Sequence, residues 1–233
     1  MEKLAYIVWK PADASAEEFG RVMRTEVTAR LLEAGARRLS VNVADEHVTQ
    51  AQAARITKFD PPIAGLVTFW LDVSTDRDAH ERSLDDATER LAGYLVLGAE
   101  PIVNRTHTAD LGERTPGINM VACIERPEHM THDAWIHHWF GHHRKVACET
   151  QCSYAYVRNE VVRPLTDDAP PWAGIVEEGF PAEAVTDPML WYKAGGSQEK
   201  LEENMGRMIE SVTAFLDISR VESNPMSEYH ISR

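Results

Sequence analysis

Cysteine, long apolar runs and positive charge are all scarce in this sequence. Its three cysteines cannot all pair, and Cys148 and Cys152 stand one helical turn apart, so we expect reduced thiols rather than a disulfide framework. The apolar runs fall far short of the roughly 20 residues that span a bilayer. The first segment, MEKLAYIVWKPAD, moves directly into a strand-like pattern and lacks the apolar core of a signal peptide. We therefore expect a cytoplasmic protein without a membrane partner.

Negative charge dominates the chain, with 37 acidic against 24 basic residues and a formal net charge of −13 at pH 7. Nucleic acids and anionic lipids would repel this charge, so we expect neither as a partner. The sequence also lacks the GxGxxG, GxxxxGKS/T and GxSxG patterns. Nucleotide cofactors and serine hydrolysis therefore have no support, and we expect no cofactor.

An internal similarity is present at an offset of 116 residues. At this offset VWKPADASAEEF lies over IERPEHMTHDAW, so that a strand, a Lys-Pro or Arg-Pro pair and a Ser or Thr helix cap occur twice. A second strand follows in each copy, with Leu39–Val43 over Ala155–Asn159. The third strand, with Ile63–Thr68 over Trp172–Glu177, matches at an offset of 109.

Two more elements complete each copy. They are an amphipathic helix and an extended segment, over about 76–91 and 94–105 in the first copy and about 197–216 and 226–232 in the second. The order β-α-β-β-α-β, found twice, is that of the ferredoxin-like unit. We expect an α+β protein with two such halves, 1–105 and 117–233, joined by a linker over 106–116. The alternative is one α/β domain whose strands resemble each other by chance.

The helix over 131–149 is unusually rich in histidine, with five of the chain's ten: His132, His137, His138, His142 and His143. On a 3.6-residue period His138, Trp139 and His142 share the stripe that faces the sheet, and His143 lies beside it. We expect at least one of these imidazoles to point inward.

The first copy supplies a contrast, because Met23 stands in the place of Trp139 and Val27 in that of His143. Methionine and valine suit a packed core, so the fold does not require Trp139 or His143. This difference indicates that the two residues serve a function.

The second and third strands of this half offer polar partners. Tyr154, Tyr156 and Arg158 alternate onto one face of the second strand. Glu177 and Glu178 end the third strand, and one of them must face inward if the strand is regular. Such a carboxylate could orient an imidazole, raise the pKa of that imidazole, or act as a base itself.

Other interpretations of this cluster remain open. His138 and His142 have the i, i+4 spacing of two imidazoles on one metal ion, with Glu177 or Glu178 as a third ligand. A histidine could also be the axial ligand of a haem. In the simplest interpretation, each histidine is partly buried and bonded to a carbonyl or carboxylate, and the glutamates end a solvated strand.

The run from Glu125 to Val146, with Trp139 and His143 in a W-x-x-x-H pattern, resembles the EthD-like proteins of the dimeric α/β-barrel superfamily. The segments YVRN at 156–159 and GIVE at 174–177 resemble the same family. The resemblance implies two ferredoxin-like units joined through their sheets into a barrel, with ligands between each sheet and its helices. Relatives include cofactor-free enzymes that isomerise muconolactones, cyclise or dehydrate polyketides, or oxidise aromatic rings.

We therefore expect a cofactor-independent lyase or isomerase that acts on a small hydroxylated aromatic, polyketide-like or lactone-like compound. His143 would be the general acid or base and Glu177 its partner, with Tyr154 or Tyr156 as donor to a developing oxyanion and Trp139 as a pocket wall. Further catalytic or substrate-binding candidates are His138, His142, Arg158 and Glu178. The alternatives are a non-catalytic binding protein and a metal- or haem-dependent oxygenase, and a homodimer is compatible with each.

Overall fold

Eight antiparallel strands close into a barrel in the computed structural model, which describes all 233 residues. The strands are β1 (Glu2–Trp9), β2 (Arg37–Val43), β3 (Gly65–Leu71), β4 (Arg90–Ile102), β5 (Ile118–Ile124), β6 (Ala155–Pro164), β7 (Gly174–Phe180) and β8 (Glu222–His230). They follow one another around the barrel in the order β1-β3-β2-β8-β5-β7-β6-β4. Closure leaves no unpaired sheet edge.

The order of the strands divides the barrel into two equivalent sheets. The first half contributes β4-β1-β3-β2 and the second contributes β8-β5-β7-β6, so each sheet has its own first strand in the middle. Pairing of β2 with β8 and of β4 with β6 joins the halves. This arrangement confirms the expected fold of two ferredoxin-like halves in one dimeric-type α/β barrel.

The helices lie outside the barrel. They are α1 (16–33), α2 (Asp78–Asp85), α3 (132–150), the single turn α4 (Pro188–Trp191) and α5 (Gln198–Thr213). Ser15 and Thr131 cap α1 and α3 through their side-chain oxygens, as the sequence predicts. Both α1 and α3 contain a π-helical turn at the same place, Met23–Val27 and His138–His143.

Two details of the sequence interpretation are wrong. The helix expected over 76–91 ends at Asp85, because Leu91 belongs to β4 and pairs with Val8 of β1. The alignment of the second strands is also wrong by one residue. An offset of 116 residues places Val41 of β2 over Val157 of β6, but in the structure Val41 corresponds to Arg158. Val41 pairs with Val67 and Arg158 pairs with Val176, so these two residues are equivalent and lie on equivalent faces.

The two halves differ in how the space between sheet and helices is filled. Around the first-half sheet, 17 buried residues form a continuous core with its helices, and all but Tyr229 of β8 come from the first half. The equivalent cluster in the second half has seven buried residues and includes Trp135, Trp139 and Tyr156. A third cluster lies inside the barrel, where Trp9 and Trp172 stack with ring centroids 6.5 Å apart. The smaller cluster of the second half leaves room for a cavity.

Two expectations from the composition can be compared with the structure. The three cysteines are free thiols, as predicted. None of the helices combines the length and apolar character needed to cross a membrane.

Candidate active site

A mainly apolar cavity of about 270 Å³ lies between the second-half sheet and helices α3 and α5. Fifteen of its 19 lining residues are hydrophobic, and the other four are His143, Gln151, Glu178 and Ser223. A cavity of about 150 Å³ holds one benzene ring, so this one accommodates a compound of about two rings. Apolar walls with a few converging polar groups are typical of small-molecule sites.

The cavity exists because two large side chains of the first half have small or polar counterparts here. Tyr6 and Phe69 stack on each other with ring centroids 5.6 Å apart and fill the first half. Ala122 takes the place of Tyr6, since both lie opposite an equivalent valine on the third strand. Glu178 takes the place of Phe69. The first half therefore has a packed core where the second has a pocket with a carboxyl group.

Trp139 forms one wall of the cavity and is itself buried. Its ring lies against Gly174, where an added Cβ would come within 2.5 Å of the indole, so only glycine leaves space for it. The indole Nε1 donates a hydrogen bond to the Tyr156 hydroxyl oxygen at 3.2 Å. Because this oxygen is an acceptor here, the hydroxyl hydrogen of Tyr156 is free to bond a ligand.

Glu178 is the ionisable group best suited to move a proton in this cavity. It pairs across the strands with Tyr156 and Met120, so its side chain stands beside that tyrosine on the cavity face. Its Oε1 is buried and has no hydrogen-bond partner. Desolvation by burial raises the pKa of the carboxyl to about 7. At neutral pH, Glu178 can therefore both take up and release a proton.

His143 lines the same cavity from α3. Its Nδ1 lies 3.1 Å from the Ser211 hydroxyl, and its ring packs on Phe215 with centroids 4.8 Å apart. Desolvation, helped by the neighbouring His138 and His142, lowers the pKa of His143 to about 4. The imidazole is thus neutral at pH 7, where it acts as a hydrogen-bonding group and as a weak base.

Glu177 does not partner His143, so this expectation is wrong. Successive residues of a strand point to opposite faces, and the register of β7 places Glu178 toward the helices and Glu177 inside the barrel. There the Glu177 carboxylate accepts hydrogen bonds from Asn159 Nδ2 at 2.9 Å and Asn42 Nδ2 at 3.2 Å. The sequence alone left the choice between the two glutamates open.

His138 and His142 do not line the cavity either. His138 bonds through Nε2 to the Ser211 carbonyl at 3.0 Å and stacks on Phe215. His142 is exposed. The π-helical turn explains this, because a wider turn places His143, rather than His142, on the inner face after Trp139.

The residues present do not fit the metal or haem alternatives. No group of three or more His, Cys, Asp or Glu side chains is arranged to hold a metal ion. His138 and His142 are adjacent, but Glu177 lies inside the barrel and Glu178 in the cavity, so the third ligand is missing. A haem carries four pyrrole rings, which exceed the room in a cavity of about 270 Å³.

Tyr154 and Arg158 also differ from expectation in their surroundings. Tyr154 donates its hydroxyl hydrogen to the Pro116 carbonyl at 2.8 Å and stacks on His107, so it holds the segment between β4 and β5 rather than facing the cavity. Arg158 is on the same face as Tyr156 but lies under Phe140, 3.8 Å from the ring centroid. It does not line the cavity, although its Nε and Nη1 are buried without partners.

Ser211 is a partner of the histidines that the sequence analysis missed. Through its hydroxyl and its carbonyl it contacts both His143 and His138. A signal was available, because the buried residues of α5 recur at helical spacing as Leu201, Asn204, Met208 and Ser211. Asn204 and Ser211 are polar residues in an otherwise apolar stripe, which indicates hydrogen-bond partners on the element that packs against it.

Comparisons with known proteins show the fold. A scan against protein-family models gives no match, and neither does a search of the curated proteins. Among solved structures, an anthrone oxidase-like protein is similar, with a TM-score of 0.56, 8% identity and coverage of 100% of this chain and 93% of that chain. Chlorite dismutase from Candidatus Nitrospira defluvii in complex with imidazole gives a TM-score of 0.46, 8% identity and coverage of 99% and 92%. At 8% identity, the likeness to the anthrone oxidase-like structure shows a shared fold alone.

Proposed function

We propose that the chain is an enzyme that moves protons within a small, largely apolar substrate in the second-half cavity. The observation that carries this proposal is Glu178, a carboxyl with a pKa of about 7 facing an apolar cavity. A buried carboxyl without a partner reduces stability when it ionises, which makes a purely structural role costly. The reaction class is lyase or isomerase, with no cofactor.

The three polar groups of the cavity have separate roles in this proposal. Glu178 removes a proton from a carbon next to a carbonyl, or from a hydroxyl, and returns it to another atom. The free hydroxyl hydrogen of Tyr156 stabilises the oxyanion that develops. His143 is neutral and positions the substrate through the ring nitrogen not held by Ser211. This differs from the sequence hypothesis, since the glutamate replaces the histidine as general base.

The substrate class follows from the cavity. Fifteen hydrophobic lining residues and a volume of about 270 Å³ favour a hydroxylated aromatic, polyketide-like or lactone-like compound of about two rings. The name of the anthrone oxidase-like neighbour is compatible with this class, although its 8% identity supports the fold alone. Oxidation of such a substrate by molecular oxygen, after proton removal by Glu178, is the competing reaction.

We also propose that the chain arose by tandem duplication of an EthD-like unit, with halves 1–105 and 117–233 around the linker 106–116. The matching π-helical turns in α1 and α3 support this origin. The basic residue of the repeated basic-Pro pair supports it too. Lys10 donates to the Ala14 carbonyl, and Arg126 donates to the Met130 carbonyl at the same spacing.

A solvent-exchange experiment tests the proposed function. A panel of hydroxylated two-ring aromatics and lactones is incubated with protein in D₂O, and deuterium entry and product formation are followed by NMR and mass spectrometry. We expect catalysed exchange with at least one compound, reduced about 10²- to 10⁴-fold by Glu178→Gln. The exposed Glu183→Gln is the matched control and should keep the wild-type rate.

Three other outcomes would contradict the proposal. Unchanged exchange in Glu178→Gln would remove the carboxyl from the mechanism. Ligand-induced stabilisation without exchange or product across the panel would favour a non-catalytic binding protein. Oxygen consumption coupled to product formation would replace the lyase or isomerase assignment by an oxygenase.

A further inference from the structure

Two polar residues of the candidate active-site cavity have no part in the proposed reaction. They are Gln151 and Ser223, which lie among 15 hydrophobic lining residues together with His143 and Glu178. Neither the Gln151 amide nor the Ser223 hydroxyl forms a hydrogen bond to another residue of the protein, although Gln151 is buried. A polar group that leaves water without gaining a partner costs free energy. A ligand with matching polar groups would satisfy both side chains.

The first half shows that the fold does not require a hydroxyl group at position 223. Ser223 pairs with Ala122 across β8 and β5, as Gly93 pairs with Tyr6 across the equivalent strands β4 and β1. A Cβ at Gly93 would lie 2.5 Å from the Tyr6 ring, so the tyrosine excludes a side chain there. The exchange of Tyr6 for Ala122 therefore opens the cavity and also admits the serine hydroxyl to it.

Gln151 lies at the walled end of the cavity. It directly follows the last residue of α3, and the next residue, Cys152, donates its backbone N–H to the Trp191 carbonyl at 2.9 Å. Trp191 stacks on Phe180 with ring centroids 3.8 Å apart, and both rings line the cavity. Phe180 stands two residues after Glu178 on β7, and so on the same face. The stack thus walls the end that holds Gln151 and Glu178.

Ser223 lies at the mouth of the cavity. Its backbone exchanges two hydrogen bonds with that of Ile56, at 2.7 and 2.9 Å. Ile56 and Ile218 are the exposed residues of the lining, so the cavity opens to solvent beside them. The Ser223 hydroxyl is therefore the polar group that a ligand meets at the entrance.

Strand pairing gives the separation of the two polar ends. Met120 pairs with Glu178 on one side and with Pro225 on the other, and Ser223 stands two residues before Pro225. Two strand spacings across and two residues along place the Cα atoms of Ser223 and Glu178 roughly 12 Å apart. Hydrophobic residues line the cavity between them. A compound that reaches both ends has polar groups on opposite sides of an apolar ring system.

We propose that Gln151 and Ser223 determine the specificity of the proposed reaction, by selecting a two-ring compound with an oxygen substituent on each ring. Gln151 donates an amide hydrogen to the oxygen at the walled end, where Glu178 moves the proton. Ser223 forms a hydrogen bond with the oxygen on the other ring, at the mouth. A site built to bond a substrate oxygen rejects the analogue that lacks it. The inference rests on the proposed function, since it takes that reaction as the one being made specific.

Binding of two naphthalene probes tests the inference without turnover. Naphthalene-2,6-diol has an oxygen on each ring and 2-naphthol has one, and both are titrated calorimetrically into the full chain. We expect the diol to bind about 2- to 12-fold more tightly, because it forms one more hydrogen bond. Ser223→Ala should abolish this preference and leave the affinity for 2-naphthol unchanged. Ala122→Tyr, which fills the cavity, should abolish binding of both probes.

Kinetic constants for a compound that is turned over separate the two residues. Ser223→Ala should raise KM several-fold at unchanged kcat, because the bond at the mouth is equally strong in the ground and transition states. Gln151→Leu should lower kcat at least tenfold, because its bond strengthens as negative charge develops on the oxygen. The matched control is Gln50→Leu, at an exposed position, which should keep both constants.

Any of three results would overturn the inference. They are a diol that binds wild type no more tightly than 2-naphthol, a Ser223→Ala variant that still prefers the diol, and unchanged kinetic constants in both variants. If Gln151→Leu does not fold, the first two results decide. Failure of the proposed function has a different signature, because wild type would then catalyse no exchange while the preference for the diol still depends on Ser223.

Discussion

Replacing Glu178 by glutamine should change how the stability of the protein depends on pH. The pKa of this carboxyl is about 7 in the folded state, against 4.5 for an unperturbed glutamate. The unfolded chain therefore loses the proton near pH 4.5, whereas the folded protein keeps it until near pH 7. Wild-type stability attributable to this group is fully present below pH 4.5 and is lost as the pH rises through 7.

The magnitude follows from the size of the shift. A pKa difference of about 2.5 corresponds to about 3 kcal/mol of unfolding free energy. Glutamine cannot ionise, so the variant gains about this amount relative to wild type between pH 4 and pH 8. In a chain of 233 residues this equals roughly 6–12 °C in melting temperature.

The assay is denaturant unfolding of wild type and Glu178→Gln at intervals from pH 4 to pH 9. Subtracting the two curves cancels the other titrating groups. Glu183→Gln, at an exposed position, should give a difference that stays flat. A flat difference for Glu178→Gln as well would refute the conclusion that its carboxyl is desolvated.

Four substitutions test the shape of the site and its surroundings. Gly174→Ala should cost about 1–3 kcal/mol in calorimetric unfolding, because the new Cβ would meet the Trp139 ring at 2.5 Å. Gly141→Ala, with open space around it on α3, should instead be neutral or stabilising. Ala122→Tyr should fill the cavity and abolish ligand binding in a thermal-shift assay without loss of the fold; persistent binding would place the ligand elsewhere. Tyr154→Phe should cost about 1 kcal/mol and leave turnover unchanged, whereas lost turnover would return Tyr154 to the site.

The sequence predicts the fold well because the signals that define it are local. Helix caps at Ser15 and Thr131 and the twofold strand pattern are readable from neighbouring residues. The length of α2 cannot be read from neighbouring residues, because Leu91 fits the helical pattern but pairs with Val8 across the sheet. Barrel closure depends on contacts between the halves that no single segment encodes.

The site is only partly predictable for a related reason. The contrast of Trp139 and His143 with Met23 and Val27 predicts a site in the second half, where both residues line the cavity between sheet and helices. The choice between Glu177 and Glu178 depends on strand register, where a shift of one residue exchanges the two faces. The π-helical turn, which places His143 inward and His142 outward, has no simple sequence signature.

The asymmetry between the halves follows from a few exchanged side chains. Tyr6 and Phe69 fill the first half, whereas Ala122 and Glu178 leave the second half with a cavity and a titratable group. The first half therefore serves as a packed scaffold that closes the barrel.

The most direct test of the central claim is a carbon-13 NMR titration of the Glu178 side-chain carboxyl, assigned by comparison with Glu178→Gln. The proposed role in proton transfer at neutral pH requires a midpoint near pH 7. Addition of an apolar ligand that fills the cavity should move the midpoint higher, because it removes the remaining solvent. A midpoint near pH 4.5, unaffected by ligand, would contradict the account.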